Sequence, residues 1–352
     1  MTLDDIDTPA VLIDLDRVAA NLARAQAYAD AHGLALRPHV KTHKLPRFAH
    51  DQMALGAVGI TAQKLGEAEA MADGGLTDIF LPYNIIGPAK LARLAALAGR
   101  VTLSVTCDNA AVLAGYAATF TAPQTPLTVL VECDTGAARC GVQSPTAALA
   151  LAQAIAAAPG LRFGGLMTYP PREGEAATDA WLIAARSALV AAGLPPPVIS
   201  AGGSPGLYRA HLVSAATEHR PGTYIYSDRM QVAFGLGGWD DCALTVLATV
   251  ISRPTPARAI LDAGSKALAA DLCPLPGHGR ITAYPQAVIT GLSEEHGHVD
   301  LTACTETPGI GERVRVIPNH ACVVTNLFDR VHLIRGTLVE EVARITSRGR
   351  LA

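Results

Sequence analysis

The stretch Leu34-Ala35-Leu36-Arg37-Pro38-His39-Val40-Lys41 opens a rhythm that decides the fold. From it onward, short apolar and β-branched runs alternate with Ala/Leu-rich segments of helical character. Strands are predicted at residues 34–41, 57–63, 78–83, 101–106, 127–134, 161–169, 198–204 and 217–226, with helices such as 66–72, 89–98, 147–158 and 179–192 between them. Eight β-then-α units over about two hundred residues are the pattern of an α/β protein with a (β/α)8, TIM-type barrel. A doubly wound open sheet shares the same local signature.

After Gly235-Leu236-Gly237-Gly238 the rhythm changes. Strand-like runs at 244–251, 259–261, 286–290, 314–317 and 331–334 are separated by Pro and Gly with little helical periodicity, which predicts a smaller β-rich C-terminal domain. The expected domains are therefore 1–238 and 239–352. The apolar strand at 10–15 precedes the first barrel helix and is free to pair with the second domain.

Composition narrows the function classes. The 352 residues are 50% hydrophobic, enough for a substantial core, and 28 Lys+Arg against 31 Asp+Glu leave a net charge of −3. That balance argues against a nucleic-acid surface, which needs a basic excess or stripe. The long uncharged stretch 109–131 is broken by Gly115, Pro123 and Pro126, so no membrane span is expected. The N-terminus is acidic where a signal peptide is basic. Seven cysteines with no CxxC spacing fit a reduced, cytoplasmic setting. Cys107, Cys133, Cys140, Cys242, Cys273 and Cys304 read as small core residues.

Chemistry in a barrel sits at the C-terminal ends of the strands. The first strand ends with Arg37, His39 and Lys41 on one face by alternation, and two cations beside an ammonium favour the free, nucleophilic amine; a solvated basic strand end is the alternative. Later strand ends add Arg139, Tyr169 and the run Gly202-Gly203-Ser204, whose backbone N–H groups suit a phosphate, although Gly-Gly-Ser alone is a turn. Together they point to a phosphate-bearing cofactor carried covalently on lysine, namely pyridoxal 5′-phosphate (PLP). In the second domain, His320 and Cys322 project together if Pro318–Val324 is a strand, and imidazole plus thiolate is a zinc-type pair. A packed histidine and a buried cysteine are the plainer reading. Glu294-Glu295-His296-Gly297-His298 is a second candidate for metal, or a polar hairpin.

These residues carry a family resemblance. The chain resembles the fold-type III PLP enzymes of the D-serine dehydratase/D-threonine aldolase group, related to the N-terminal domain of alanine racemase. The matching segments are Asp7-Thr8-Pro9-Ala10, Arg37 to Lys44, Asp134-Thr135-Gly136 with Arg139-Cys140-Gly141, Gly202-Gly203-Ser204, Arg220-Pro221-Gly222-Thr223-Tyr224, Ser293 to Gly297, and Pro318-Asn319-His320-Ala321-Cys322. The resemblance implies a homodimer in which Lys41 carries PLP, Arg139 faces the pyridine nitrogen, and His39 and Tyr169 lie near the cofactor. It places phosphate contacts on Gly202, Gly203, Ser204 and Tyr224, and a metal on His320 and Cys322.

A soft cysteine at the second ligand position favours zinc, whereas the aldolase branch carries aspartate there with manganese or magnesium. The implied reaction is β-elimination from a 3-hydroxy-D-amino acid such as D-serine, D-threonine or D-threo-3-hydroxyaspartate, giving a 2-oxo acid and ammonia. The alternatives are retro-aldol cleavage to glycine and an aldehyde, and a PLP carrier without turnover. The segment Tyr169-Pro170-Pro171-Arg172 lacks the histidine of the aldolase loop, and Arg172 suits an acidic substrate.

Overall fold

A computed structural model describes residues 2–352. The chain divides into two compact units. One contains Arg24–Lys41, Leu45–Gly222 and the last three residues; the other contains the N-terminal segment through Ala23, Thr42–Lys44 and Thr223–Gly349.

In chain order the first nine strands are β1 (Ala10–Asp14), β2 (Ala35–Leu36), β3 (Ile60–Thr61), β4 (Asp78–Leu81), β5 (Thr102–Cys107), β6 (Leu127–Cys133), β7 (Leu161–Thr168), β8 (Val198–Ala201) and β9 (Glu218–His219). Strands β2 to β9 form one parallel sheet in the order β2-β9-β8-β7-β6-β5-β4-β3. Its two ends meet: Val40 N donates to Thr61 O (2.8 Å), Thr61 N to Pro38 O (2.7 Å) and Val58 N to Leu36 O (2.9 Å). The sheet thus curls into the expected barrel, with helices following its strands.

Both faces of these strands are buried, which explains their near-continuous apolar runs. In β6, Val129 and Val131 belong to the large core shared with the helices, while Leu130 packs with Phe80 and Met167 in a small separate cluster. The period of two then puts Glu132 on the side of Leu130, and Tyr169 on the side of Met167. The same rule links Ser200 to Gly202 and Glu218 to Arg220. Helix starts are marked locally: Asn109 and Ser144 accept from the backbone N–H groups of Val112 and Ala147, and Pro88 and Pro145 occupy first helical positions.

The second unit holds β10 (Leu244–Thr255), β11 (Arg258–Leu261), β12 (Gly279–Ile281), β13 (Val288–Leu292), β14 (Gly297–Asp300), β15 (Arg313–Pro318), β16 (Arg330–Arg335) and β17 (Leu338–Arg344). These form a mixed, mostly antiparallel sheet with β1 in its middle, antiparallel to β10 (Ala10 opposite Leu247) and parallel to β16 (Leu12 opposite His332). Val11, Leu12 and Ile13 are fully buried there.

Three local expectations change. The first barrel strand stops at Leu36, and Lys41 lies in a turn rather than on a strand. Residues 223–225 of the last predicted strand form a 3-10 turn. Cys140 is exposed, and Cys273 and Cys304 are half-buried, so these three are not core residues. Among the described residues no helix is long and apolar enough to cross a membrane.

Candidate active site

The cofactor lysine candidate is half-buried in the turn that follows β2, and its backbone N–H points at His39 Nδ1 (3.4 Å). His39 is itself anchored by Gln63 Oε1 at 3.0 Å from Nε2. Arg37 does not join them. Its guanidinium lies 2.7 Å from Glu218 and 2.5 Å from Asp78, so it is neutralised by two carboxylates. The expected face with Arg37 and His39 both beside Lys41 is therefore absent, because the strand ends before alternation can bring Lys41 onto it.

The other strand-end residues converge more closely. Arg139 lies over the Tyr169 ring with its central carbon 4.5 Å from the centroid, and its Nη2 is 4.0 Å from Glu132 Oε1. Burial pushes the Glu132 carboxyl up, while Arg139 is the main influence holding it down. Tyr169 also touches the glycine pair: a Cβ on Gly203 would lie 2.7 Å from its Cε2. Gly202 has φ +93°, and a Cβ there would fall 2.3 Å from His219 Nδ1. Ser204 Oγ accepts from Gly222 N (3.0 Å), joining the turns after β8 and β9. Tyr224 is buried in the 3-10 turn of the other unit.

Two buried residues here escaped the sequence reading of roles. Arg220 donates to Ser200 Oγ (2.5 Å) and to Thr168 O (2.8 Å). Burial pulls its guanidinium down to about 10, against the support of Glu218 and Glu132. His219 is held neutral, since burial brings its imidazole to about 4 and Arg220 adds to the effect. Its Nδ1 lies 3.3 Å from Ala201 O. A strand-end arginine next to a histidine is the signal in the sequence that points to them.

These residues fit PLP. A lysine amine in the turn after β2, a tyrosine with a guanidinium over its ring and a glycine pair with no room for side chains are the groups that a flat, anionic, carbonyl-bearing ring requires.

The metal candidates also adjoin, but not as a strand. His320 is the N-cap of a short helix, Ala321–Leu327, in which Cys322 is the second residue. His320 Nδ1 sits 2.5 Å from Asp271 Oδ2. Burial opposes protonation of this imidazole, but Cys322 and then Asp271 and Asp228 outweigh it and push it up to about 9. Cys322 Sγ lies 3.0 Å from the Thr42 hydroxyl and 3.5 Å from that of Thr223. Asp228 Oδ2 accepts from Ala321 N (2.9 Å), fixing the backbone between the two candidates. Among the described residues no set of three His, Cys, Asp or Glu side chains surrounds one metal position. A soft thiolate and an imidazole fit a metal with open positions for water or substrate, as in catalytic zinc sites. His298 instead bonds Ser293 (2.9 Å), and Glu294 and Glu295 pair with Lys266, so that segment is a polar hairpin.

Residues 13–230 match the family described as alanine racemase, N-terminal domain, and residues 243–334 match the putative serine dehydratase domain. The chain belongs to this family of fold-type III PLP enzymes. Within the family it is 36% identical to a D-threonine aldolase of Arthrobacter sp, over 98% of this chain and 93% of the relative. It is 35% identical to the D-threo-3-hydroxyaspartate dehydratase of Delftia sp. (strain HT23), over 93% and 94%. A structure of a D-threo-3-hydroxyaspartate dehydratase, a cysteine-to-alanine mutant in the metal-free form, superimposes with a TM-score of 0.88 at 33% identity, covering 98% of this chain and 99% of that one. Aldolase and dehydratase are both lyases, and this fold-type III protein is a PLP-dependent lyase.

Proposed function

We propose that this protein is a PLP- and zinc-dependent lyase that converts 3-hydroxy-D-amino acids, among them D-serine, D-threonine or D-threo-3-hydroxyaspartate, to a 2-oxo acid and ammonia, water leaving in the elimination and water hydrolysing the enamine it produces. The observation that carries the choice is the donor set at residue 322, where a thiol beside His320 offers a soft ligand suited to zinc. The metal-free cysteine mutant of the similar dehydratase supports it. In this reading Lys41 holds the cofactor, and its amine, once released, takes the α-proton of the substrate. His320 and Cys322 hold the metal at the substrate's β-hydroxyl. When bound, PLP supplies an electron sink and zinc a Lewis acid for a poor leaving group. Thr42, the next residue after Lys41, has its hydroxyl 3.0 Å from Cys322 Sγ. Gly202, Gly203 and Ser204 hold the phosphate with Tyr224, His39 lies beside the lysine turn, and Arg139 faces the ring nitrogen over Tyr169. The working form is a cytoplasmic homodimer.

The second reading is retro-aldol cleavage of the same substrates, favoured by the 36% identity to a D-threonine aldolase. Product analysis decides between them. Purified protein with PLP and zinc is incubated with the three substrates, and ammonia with a 2-oxo acid is scored against glycine with an aldehyde. Ammonia and oxo acid are expected; glycine and aldehyde would replace the dehydratase reading by the aldolase one.

A further inference from the structure

We infer that Asp271 is the positioning residue of the metal pair, and that it selects which nitrogen of His320 binds metal. The inference deepens the zinc reading proposed above and rests on it. An imidazole has two ring nitrogens, and a metal needs the one without a proton. Asp271 Oδ2 stands 2.5 Å from His320 Nδ1, a carboxylate that only accepts. Nδ1 therefore keeps its proton in this hydrogen bond, and Nε2 is the nitrogen left to give up its proton to a metal. A carboxylate behind a ligating histidine also fixes the ring and raises its basicity.

The carboxylate is half-exposed, yet its loop is not loosely placed. Asn319, next to His320 in the chain and 1% exposed, donates from Nδ2 to Asp271 O (2.9 Å) and to Gly277 O (3.0 Å). Arg229 completes the clamp by donating to Asn319 Oδ1 (2.5 Å), Pro276 O (2.7 Å) and Gly277 O (3.0 Å). The residue before the histidine thus holds the backbone of the residue that orients it. Asp228, through Ala321 N, fixes the other side. Asp271 acts on Nδ1 and is no third ligand, in keeping with the lack of a three-residue set around one metal position among the described residues.

The test uses the full chain and measures zinc affinity at fixed pH by competition with a chromophoric chelator. D271A is expected to weaken zinc binding about 10–100-fold. D271N keeps an oxygen that accepts from Nδ1–H, so its loss should be smaller, and its near-identical shape guards against a folding artefact. Equal affinity in wild type and both variants overturns the inference. Wild-type protein that binds no zinc overturns the metal reading and the inference with it, and that result comes from the wild-type titration alone. A second readout is the cadmium-loaded protein with 15N-labelled histidine. Metal–nitrogen coupling is expected at Nε2 of His320, and coupling at Nδ1 refutes the assignment.

Discussion

The hydroxyl of Thr42 lies 3.0 Å from the sulfur of Cys322, 280 residues further along the chain. Thr42 is fully buried, and its carbonyl accepts from Thr325 Oγ1 (2.7 Å). Metal binds cysteine as the thiolate, and a hydroxyl at this distance can donate to a metal-bound sulfur. Replacing Thr42 by valine keeps the volume and removes the donor. T42V should weaken zinc by about tenfold while cofactor content stays unchanged, read by chelator competition and by PLP absorbance on one sample. Unchanged zinc affinity would show the contact to be incidental.

Lys41→Ala should abolish covalently held cofactor. Borohydride treatment of the wild type is expected to leave a stable pyridoxyl adduct at residue 41, identified by peptide mass. A variant that still yields an adduct would move the assignment to another lysine.

The glycine pair offers a paired comparison. Gly202→Ala puts a methyl 2.3 Å from His219 Nδ1 at φ +93°, where side chains are disfavoured. Gly206→Ala meets nothing within 4 Å and has φ −106°. G202A should lose PLP on dialysis while G206A retains it, measured by absorbance. Equal retention would separate the glycine turn from cofactor binding.

Inside the barrel, Glu218 accepts from Arg37 (2.7 Å) and from the Ser200 hydroxyl, which in turn accepts from Arg220. Removing one partner of a buried ion pair leaves charge uncompensated and costs about 3–5 kcal/mol. E218A should fall in that range by urea denaturation. A loss under about 1 kcal/mol, the ordinary worth of exposed pairs, would mean that solvent reaches the network.

His219 sets a pH dependence. Its folded value of about 4 lies below the ordinary 6.5, so between those values the unfolded chain binds more protons than the folded one. Its contribution is fully present above about pH 6.5 and fades as pH falls toward 4, by at most about 1.4 kcal/mol per pH unit. His219→Gln should flatten that decline between pH 7 and pH 5 in denaturant unfolding. Parallel slopes for wild type and variant would assign the acid lability to other groups.

The barrel was legible because each strand is a short apolar run, and alternation carries Glu132 and Tyr169 to their places from Leu130 and Met167. The same rule failed at Lys41, since the strand stops at Leu36, ahead of Pro38, and Lys41 lies in the turn beyond it. It failed again at His320 and Cys322, which meet across a helix start instead of along a strand. The orienting groups left no pattern at all. Asp271 is 49 residues from His320 and Thr42 is 280 from Cys322, distances over which only the folded topology creates proximity.

That threading has an evolutionary consequence. The sheet that precedes His320 and Cys322 takes its middle strand from Ala10–Asp14, and its unit takes Thr42–Lys44 from the turn that holds Lys41. A gene fragment encoding residues 239–352 would deliver the two candidate metal ligands without the strand in the middle of this sheet or the hydroxyl beside the sulfur. If these residues hold a metal as proposed, recombination near residue 238 does not carry that function to another barrel. Only exchanges that carry the N-terminal strand and the lysine turn along with the C-terminal half can do so, which ties the history of the metal pair to that of the lysine.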